Sequence, residues 1–239
     1  LNKVLFLGSK QLGYSILKKM NSISPNTIFE IVTLDDTNDI RSCFMDFKDY
    51  ANTHKIPFSV LKGPKGLSDI IERKNPSIVI VAGWYWIIPK SVLVKVKNGF
   101  IGIHGSLLPK YRGFSPFVWA LINGEKKTGL SLFYFSDGID KGDIIAQKEI
   151  LIDDNCNIAK LLAKAEIKSL ELIDENYEDI LNNNNKRSIQ SVYNISYCSI
   201  RKLEDGIIDW NNNNINVNNF IRAQSDPYPG AFSFINGEK

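Results

Sequence analysis

The sequence is poor in the residues that staple or metallate a chain, with three cysteines and two histidines in 239 residues. Cys43, Cys156 and Cys198 are odd in number and widely spaced, with no Cys or His partner nearby. That spacing argues against a disulfide framework and against a zinc site. No apolar run approaches the roughly 20 residues of a membrane-spanning helix. Val4-Leu5-Phe6-Leu7 ends at Gly8-Ser9-Lys10, short of a signal-peptide core, so a cytoplasmic address is expected. Charge of one sign is also missing: 29 Lys and Arg against 26 Asp and Glu leave +3. The cations are scattered, so a phosphate-reading stripe for nucleic acid is not expected, while a small anionic ligand fits. Gly8-Ser9-Lys10-Gln11-Leu12-Gly13 lacks the glycine spacing of the dinucleotide fingerprint. No repeat of solenoid or propeller period is present.

What remains is a globular composition, 44% hydrophobic and 23% charged, enough apolar surface to offset chain entropy. Lys3–Gly8 reads as a fully buried strand, followed by a helical pattern through Ile16, Leu17 and Met20. The alternation continues with strands at Phe29–Thr33, Phe58–Leu61 and Ser77–Gly83 and helices at Ile40–Tyr50 and Asp69–Arg73. It implies an α/β, Rossmann-like sheet, mostly parallel, with helices on both faces. From Phe100 the rhythm changes: strands near Phe100–Ile103, Gly129–Phe135 and Asp143–Ile150, with a helix at Pro116–Ile122, predict a mixed sheet. Apolar residues at helical spacing from Ile158 to Leu181 predict a long amphipathic helix.

The Asn182–Asn185 run marks a boundary, giving a main domain over 1–182 and a small C-terminal subdomain over 183–239. The latter is expected to be a β-hairpin and short helix: strand-like Ser191–Tyr193, Ser196–Cys198 and Ile207–Trp210, then a helix ending at Ala223.

The two histidines differ in setting. His54 lies in polar Asn52-Thr53-His54-Lys55 and reads as a solvated surface imidazole. His104 ends an apolar strand and enters Gly105-Ser106-Leu107-Leu108-Pro109-Lys110-Tyr111-Arg112-Gly113. It therefore stands at a carboxyl strand end, where open α/β sheets place ligands. Position alone leaves two readings: a site residue, or a histidine satisfied by a loop carbonyl. Ser136-Asp137-Gly138-Ile139-Asp140-Lys141-Gly142-Asp143 is a turn rich in acids and glycine, and a carboxylate there could orient an imidazole for proton transfer.

The run from His104 to Gly113, Pro116, and Ile139-Asp140-Lys141-Gly142-Asp143 together resemble the 10-formyltetrahydrofolate-dependent formyltransferases. The tail, with Arg201–Trp210, Arg222-Ala223 and Pro227–Phe232, resembles the nucleotide-sugar N-formyltransferases in particular. The resemblance implies transfer of a formyl group from 10-formyltetrahydrofolate, without a metal, to the amine of a nucleotide-linked amino sugar. A dTDP-4-amino-4,6-dideoxy sugar of O-antigen or lipopolysaccharide biosynthesis is the expected acceptor, and a homodimer the expected assembly. It also implies an Asn-His-Asp triad; His104 and Asp140 match the last two members, and Gly102 occupies the Asn position. An Asn at 102 is expected to raise the rate if the missing oxyanion donor matters, and to leave it unchanged or lower if a water, a backbone N–H or protonated His104 already fills that role.

By the same resemblance the pterin is expected against Trp86, Ile87, Ile88, Leu108, Ser136, Asp137, Gly138 and Ile139. The nucleotide sugar is expected near Lys10, Ser106, Arg112, Gly113, Arg222 and Tyr228. Trp84, beside Trp86, reads either as a ligand wall or as a core aromatic. A methionyl-tRNA formyltransferase is the rival enzyme, expected to carry a larger C-terminal domain. A folate- or nucleotide-sugar-binding protein without catalysis is the rival of another class, raised by Gly102.

Overall fold

A computed structural model describes residues 3–236 and Glu238. In chain order its elements are β1 (Val4–Gly8), α1 (Lys10–Ile23), β2 (Ile28–Leu34), α2 (Phe44–His54), β3 (Phe58–Leu61), α3 (Gly66–Lys74), β4 (Ile78–Ala82), α4 (Lys90–Leu93) and β5 (Phe100–His104). There follow β6 (Arg112–Gly113), α5 (Pro116–Ile122), β7 (Lys127–Tyr134), β8 (Ile144–Leu151), α6 (Ile158–Leu181), β9 (Tyr197–Cys198), a 3-10 turn at Leu203–Gly206 and α7 (Asn214–Ala223).

Seven strands form one sheet in the order β3-β2-β1-β4-β5-β7-β8. The pairs β1–β2, β1–β4, β2–β3 and β4–β5 are parallel. At the far edge, Tyr134 N–H donates to Asp143 O at one end and Ile152 N–H to Lys126 O at the other, so β7 and β8 run antiparallel. The sheet is thus mixed and mostly parallel, as the rhythm of the sequence predicts. Every residue of β1 and β4 is buried, which explains their unbroken apolar runs: a parallel strand covered on both faces has no polar side to show.

The chain divides into two compact units, one of 1–103, 132–146 and 169–190, the other of 104–131, 147–168 and 191–239. This interleaving differs from the linear boundary expected after Asn182, and the Asn run lies within the first unit, where it ends α6. Asn182, Asn183 and Asn184 return their N–H groups to Glu178, Ile180 and Asp179 carbonyls, with Asn183 left-handed at φ 56°, a stop that Asn tolerates well. In the first unit the core joins Leu5, Leu7, Val32, Leu34, Val79, Val81, Ile88 and Phe100, with Trp84, Trp86 and Phe135 packed on it.

The second unit holds α5, α7 and the β6–β9 pair. The other Asn run caps a helix: the Asn213 side chain accepts from Asn216 N–H at 2.9 Å and starts α7, as N-cap chemistry requires. The tail differs from the expected hairpin. Among its described residues the one strand, β9, pairs in parallel with β6, while Ile207–Phe232 and Ile235–Glu238 are isolated bridges. Val192 and Tyr193 are three-quarters exposed, and strand-forming side chains without a partner strand do not make a strand.

Candidate functional site

β5 delivers His104 to a carboxyl strand end, and the loop after it is held by hydrogen bonds at nearly every step. Ser106 is buried; its Oγ donates to Lys110 O at 2.6 Å, and its carbonyl accepts from Ser131 Oγ at 2.7 Å. Leu108 N–H donates to Ser131 Oγ, and Gln147 Nε2 donates to both Leu108 O and Ser131 Oγ. Further along, Tyr111 N–H donates to Ser196 Oγ at 2.8 Å and Arg112 N–H to Ser196 O at 2.9 Å. Gly113 sits at φ 102°, and a Cβ there would lie 2.5 Å from Cys198 O, so the β6–β9 approach needs glycine. Ser106, Leu108 and Gly113 thus act first as the frame of this loop. Ser131, Gln147 and Ser196 complete it, and no local sequence signal marks them.

His104 is 9% exposed and its Nε2 stands 2.7 Å from Tyr111 O. A carbonyl only accepts, so Nε2 carries the hydrogen in the neutral ring and Nδ1 carries the lone pair. One of the two readings of His104 therefore has a named partner, and the two are compatible, since a histidine held by a loop carbonyl can still transfer a proton. The Tyr111 side chain points its Oη at Glu125 Oε1, 2.7 Å away. Burial, reinforced by that carboxylate, pushes the phenol up to about 12. His54, by contrast, is exposed and lies against the Tyr50 ring at 4.1 Å between centroids.

A cavity of about 290 Å³ opens beside the same loop, between Leu107–Tyr111 and Ser191–Asn194, with Glu125 and Lys127 on its wall. None of the residues expected to bind ligand lines it. It is smaller than the roughly 300–1,000 Å³ typical of small-molecule sites. Tyr111 lines this cavity and holds its carbonyl on His104.

The cations expected around a nucleotide are engaged within the fold. Arg112 is 5% exposed, with Nη1 3.2 Å from Tyr197 Oη and its guanidinium 5.8 Å from that ring. Arg222 donates from Nε and Nη2 to Asn219 Oδ1, and from Nη1 to the carbonyls of Asp153 and Cys156 at 3.1 and 3.0 Å. It ties α7 to the turn before α6. Tyr228 is half-buried, its N–H on Ser225 O. These three belong to the second unit together with His104.

Lys10 opens α1 in the first unit, and its Nζ lies 2.7 Å from both Asp36 and Asp39 carboxylates. Burial works against its charge, but the two acids outweigh it and raise its pKa. The Arg41 guanidinium beside Asp39 holds that carboxyl well below the usual range. A carboxyl lowered by folding stabilises at neutral pH and loses that contribution only in strong acid. Lys10→Met leaves the Asp36 side chain, 5% exposed, without its counter-ion. Stability is expected to fall by about 3 kcal/mol, read from the midpoint of urea denaturation. An unchanged midpoint would free Lys10 for the ligand role.

The remaining expected residues also lie in the first unit. Trp84 and Trp86 meet edge to face at 5.4 Å and pack against the core with Ile88, while Ile87 is two-thirds exposed. Trp84 is thus a core-packed aromatic, with its Nε1 buried and unbonded. Ser136 and Gly138 close a tight bridge, Asp137 pairs with Lys90 at 2.9 Å on the surface, and Ile139 is part-exposed. Asp140 sits at φ 51°, and buried Gln190 donates from Nε2 to Asp140 O and Gly142 O, both at 2.7 Å. Gln190 is a further residue that local sequence did not flag.

Gly102 faces Phe135. A Cβ at 102 would lie 3.0 Å from Phe135 Cζ, still closer to Cε1, and 3.2 Å from Val81 O. The expected gain from Asn at 102 is corrected accordingly, because the ring already occupies the space its side chain needs. Among the described residues no helix is long and apolar enough to cross a membrane, and all three cysteines are buried thiols.

Comparison with known proteins gives these features a family. The formyl transferase pattern matches residues 38–173, and that of the formyl transferase C-terminal domain matches 201–239. The chain is similar to the bifunctional polymyxin resistance protein ArnA of Wigglesworthia glossinidia brevipalpis, 33% identical over 99% of this chain and 36% of that protein. It thus spans about a third of that relative's length. It is also similar to a methionyl-tRNA formyltransferase of Clostridioides difficile, 32% identical over 98% of this chain and 77% of the relative. Among solved structures, the N-formyltransferase of Helicobacter canadensis, in complex with folinic acid and dTDP-3-aminofucose, shares the fold. Its TM-score is 0.77 at 21% identity, covering 99% of this chain and 85% of that one. With one family pattern over more than half of its length and a second over its tail, the chain belongs to the formyl transferase family.

Proposed function

We propose that this protein transfers the formyl group of 10-formyltetrahydrofolate to the amine of a nucleotide-linked amino sugar, a dTDP-4-amino-4,6-dideoxy sugar in the first instance. The observation that carries the reading is His104: a buried imidazole at a carboxyl strand end, its Nε2 held on Tyr111 O at 2.7 Å. The neutral amine attacks the formyl carbon, and His104 takes the proton that the amine loses. The tetrahedral intermediate then collapses, the bond from carbon to N10 of the folate breaks, and the proton passes to that nitrogen as tetrahydrofolate leaves. With no side chain at Gly102, the oxyanion relies on backbone N–H groups and the protonated imidazole. Asp140 is assigned the role of orienting His104.

The pterin is placed against the backbone of Trp86–Ile88 and the turn from Ser136 to Ile139, with Leu108 beside it. The sugar nucleotide is placed along Ser106–Gly113, with Arg112 and Tyr228. The protein is proposed to be cytoplasmic, dimeric and part of lipopolysaccharide or O-antigen synthesis.

Methionyl-tRNA is the second acceptor to weigh, since the Clostridioides difficile relative carries that name over 77% of its length. Isothermal titration decides between the acceptors and also tests for binding without catalysis. Saturable heats are expected with tetrahydrofolate and with dTDP, and none with initiator tRNA. Heat with tRNA and none with dTDP would reverse the assignment.

A further inference from the structure

The parallel register carries one row of side chains across the sheet near its carboxyl edge: Val32 of β2, Leu7 of β1, Val81 of β4 and Gly102 of β5 are successive partners. The first three belong to one core cluster, so the row lies on one face and ends at a residue with no side chain. The next strand fills the gap. Phe135 follows β7, its N–H donates to Phe100 O at 2.8 Å, and its ring stacks on Phe133 at 5.2 Å and 27°. The same ring packs on the cluster and stands where a Cβ of residue 102 would be. Interiors are packed closely enough that one volume cannot be filled twice.

We propose that Phe135 is a positioning residue. Its ring takes the side-chain volume that Gly102 leaves open, and the two positions form one packing unit that sets the carboxyl end of β5 and keeps any side chain out of position 102. The kinetic part of this proposal rests on the reading of His104, two residues along the chain, as the proton-transfer group.

The test is a cycle of wild type, Gly102→Ala, Phe135→Ala and the double variant, with Phe135→Leu as the conservative control. Gly102→Ala overfills the row and Phe135→Ala empties it, so each is expected to lower Tm by about 3–10 °C. The double variant is expected to lose clearly less than the sum, because the added methyl enters the space the ring has left. With 10-formyltetrahydrofolate and a dTDP-amino sugar well below Tm, Phe135→Ala is expected to lower kcat about tenfold with KM within threefold. Phe135→Leu is expected to keep kcat within threefold. Strictly additive Tm losses would overturn the packing unit, and wild-type kcat in Phe135→Ala would overturn positioning. If wild type transfers no formyl group to any acceptor, the functional reading fails and positioning with it, while the Tm cycle still decides the packing unit.

Discussion

His104→Ala is expected to lower formyl transfer by about 10³-fold, in the range that loss of a positioned acid–base group produces, with the folded state preserved. The imidazole is the side chain that β5 delivers to its carboxyl end, and an imidazole can both take and return a proton. The substitution also leaves the Tyr111 carbonyl without its 2.7 Å partner, a loss of about 1–3 kcal/mol if water does not replace it. Rate and stability therefore have to be read separately. Circular dichroism and Tm establish that the variant is folded at the assay temperature, and initial rates at saturating donor and acceptor give kcat. His104→Gln adds a control that keeps a donor near Tyr111 O but cannot shuttle a proton; it is expected to be as slow as His104→Ala. A rate within tenfold of wild type in either variant removes His104 from the chemistry.

Asp140→Asn is expected to cost about 10²-fold in kcat, with little change in KM for the sugar. The substitution keeps size and hydrogen-bonding capacity while removing the negative charge. The backbone that places residue 140 is held by Gln190 Nε2 on the carbonyls of residues 140 and 142. Asn also tolerates the left-handed φ of 51°. The fold is therefore expected to survive, and an effect on kcat alone points to charge. A loss of sugar affinity at constant kcat would instead make Asp140 a binding residue.

How much of this was legible in sequence depends on how local the cause was. β1 and β4 were plain because burial on both faces writes itself as an unbroken apolar run, and α6 because its buried positions recur at helical spacing. The start of α2 was misplaced from Ile40 to Phe44 for a chemical reason. Asp36 and Asp39 capture this stretch, Asp39 O accepting from Ser42 N–H, Asp39 Oδ1 from Arg41 N–H and Asp36 Oδ1 from Ser42 Oγ. These turns compete with helix and leave Ile40 almost fully exposed. The Asn182–Asn185 run was read as a break, and its N–H groups close the last turn of α6.

At the site, His104 could be singled out because it combines a rare residue type with a strand end. Its Tyr111 carbonyl partner could not, since a main-chain oxygen has no signature. Ser131, Gln147, Gln190 and Ser196 support loops distant from them in sequence, and Phe135 looked like the last apolar residue of an ordinary strand. Lys10 and Arg222 were expected beside a nucleotide for their charge. The acids and carbonyls that engage them become neighbours only on folding.

The most direct measurement is the mass of a dTDP-4-amino-4,6-dideoxy sugar after incubation with 10-formyltetrahydrofolate and the protein. The account expects a gain of one formyl group per sugar, one tetrahydrofolate released for each, and no gain with His104→Ala. An unmodified sugar beside formylated methionyl-tRNA, or no formylated amine at all, would contradict it.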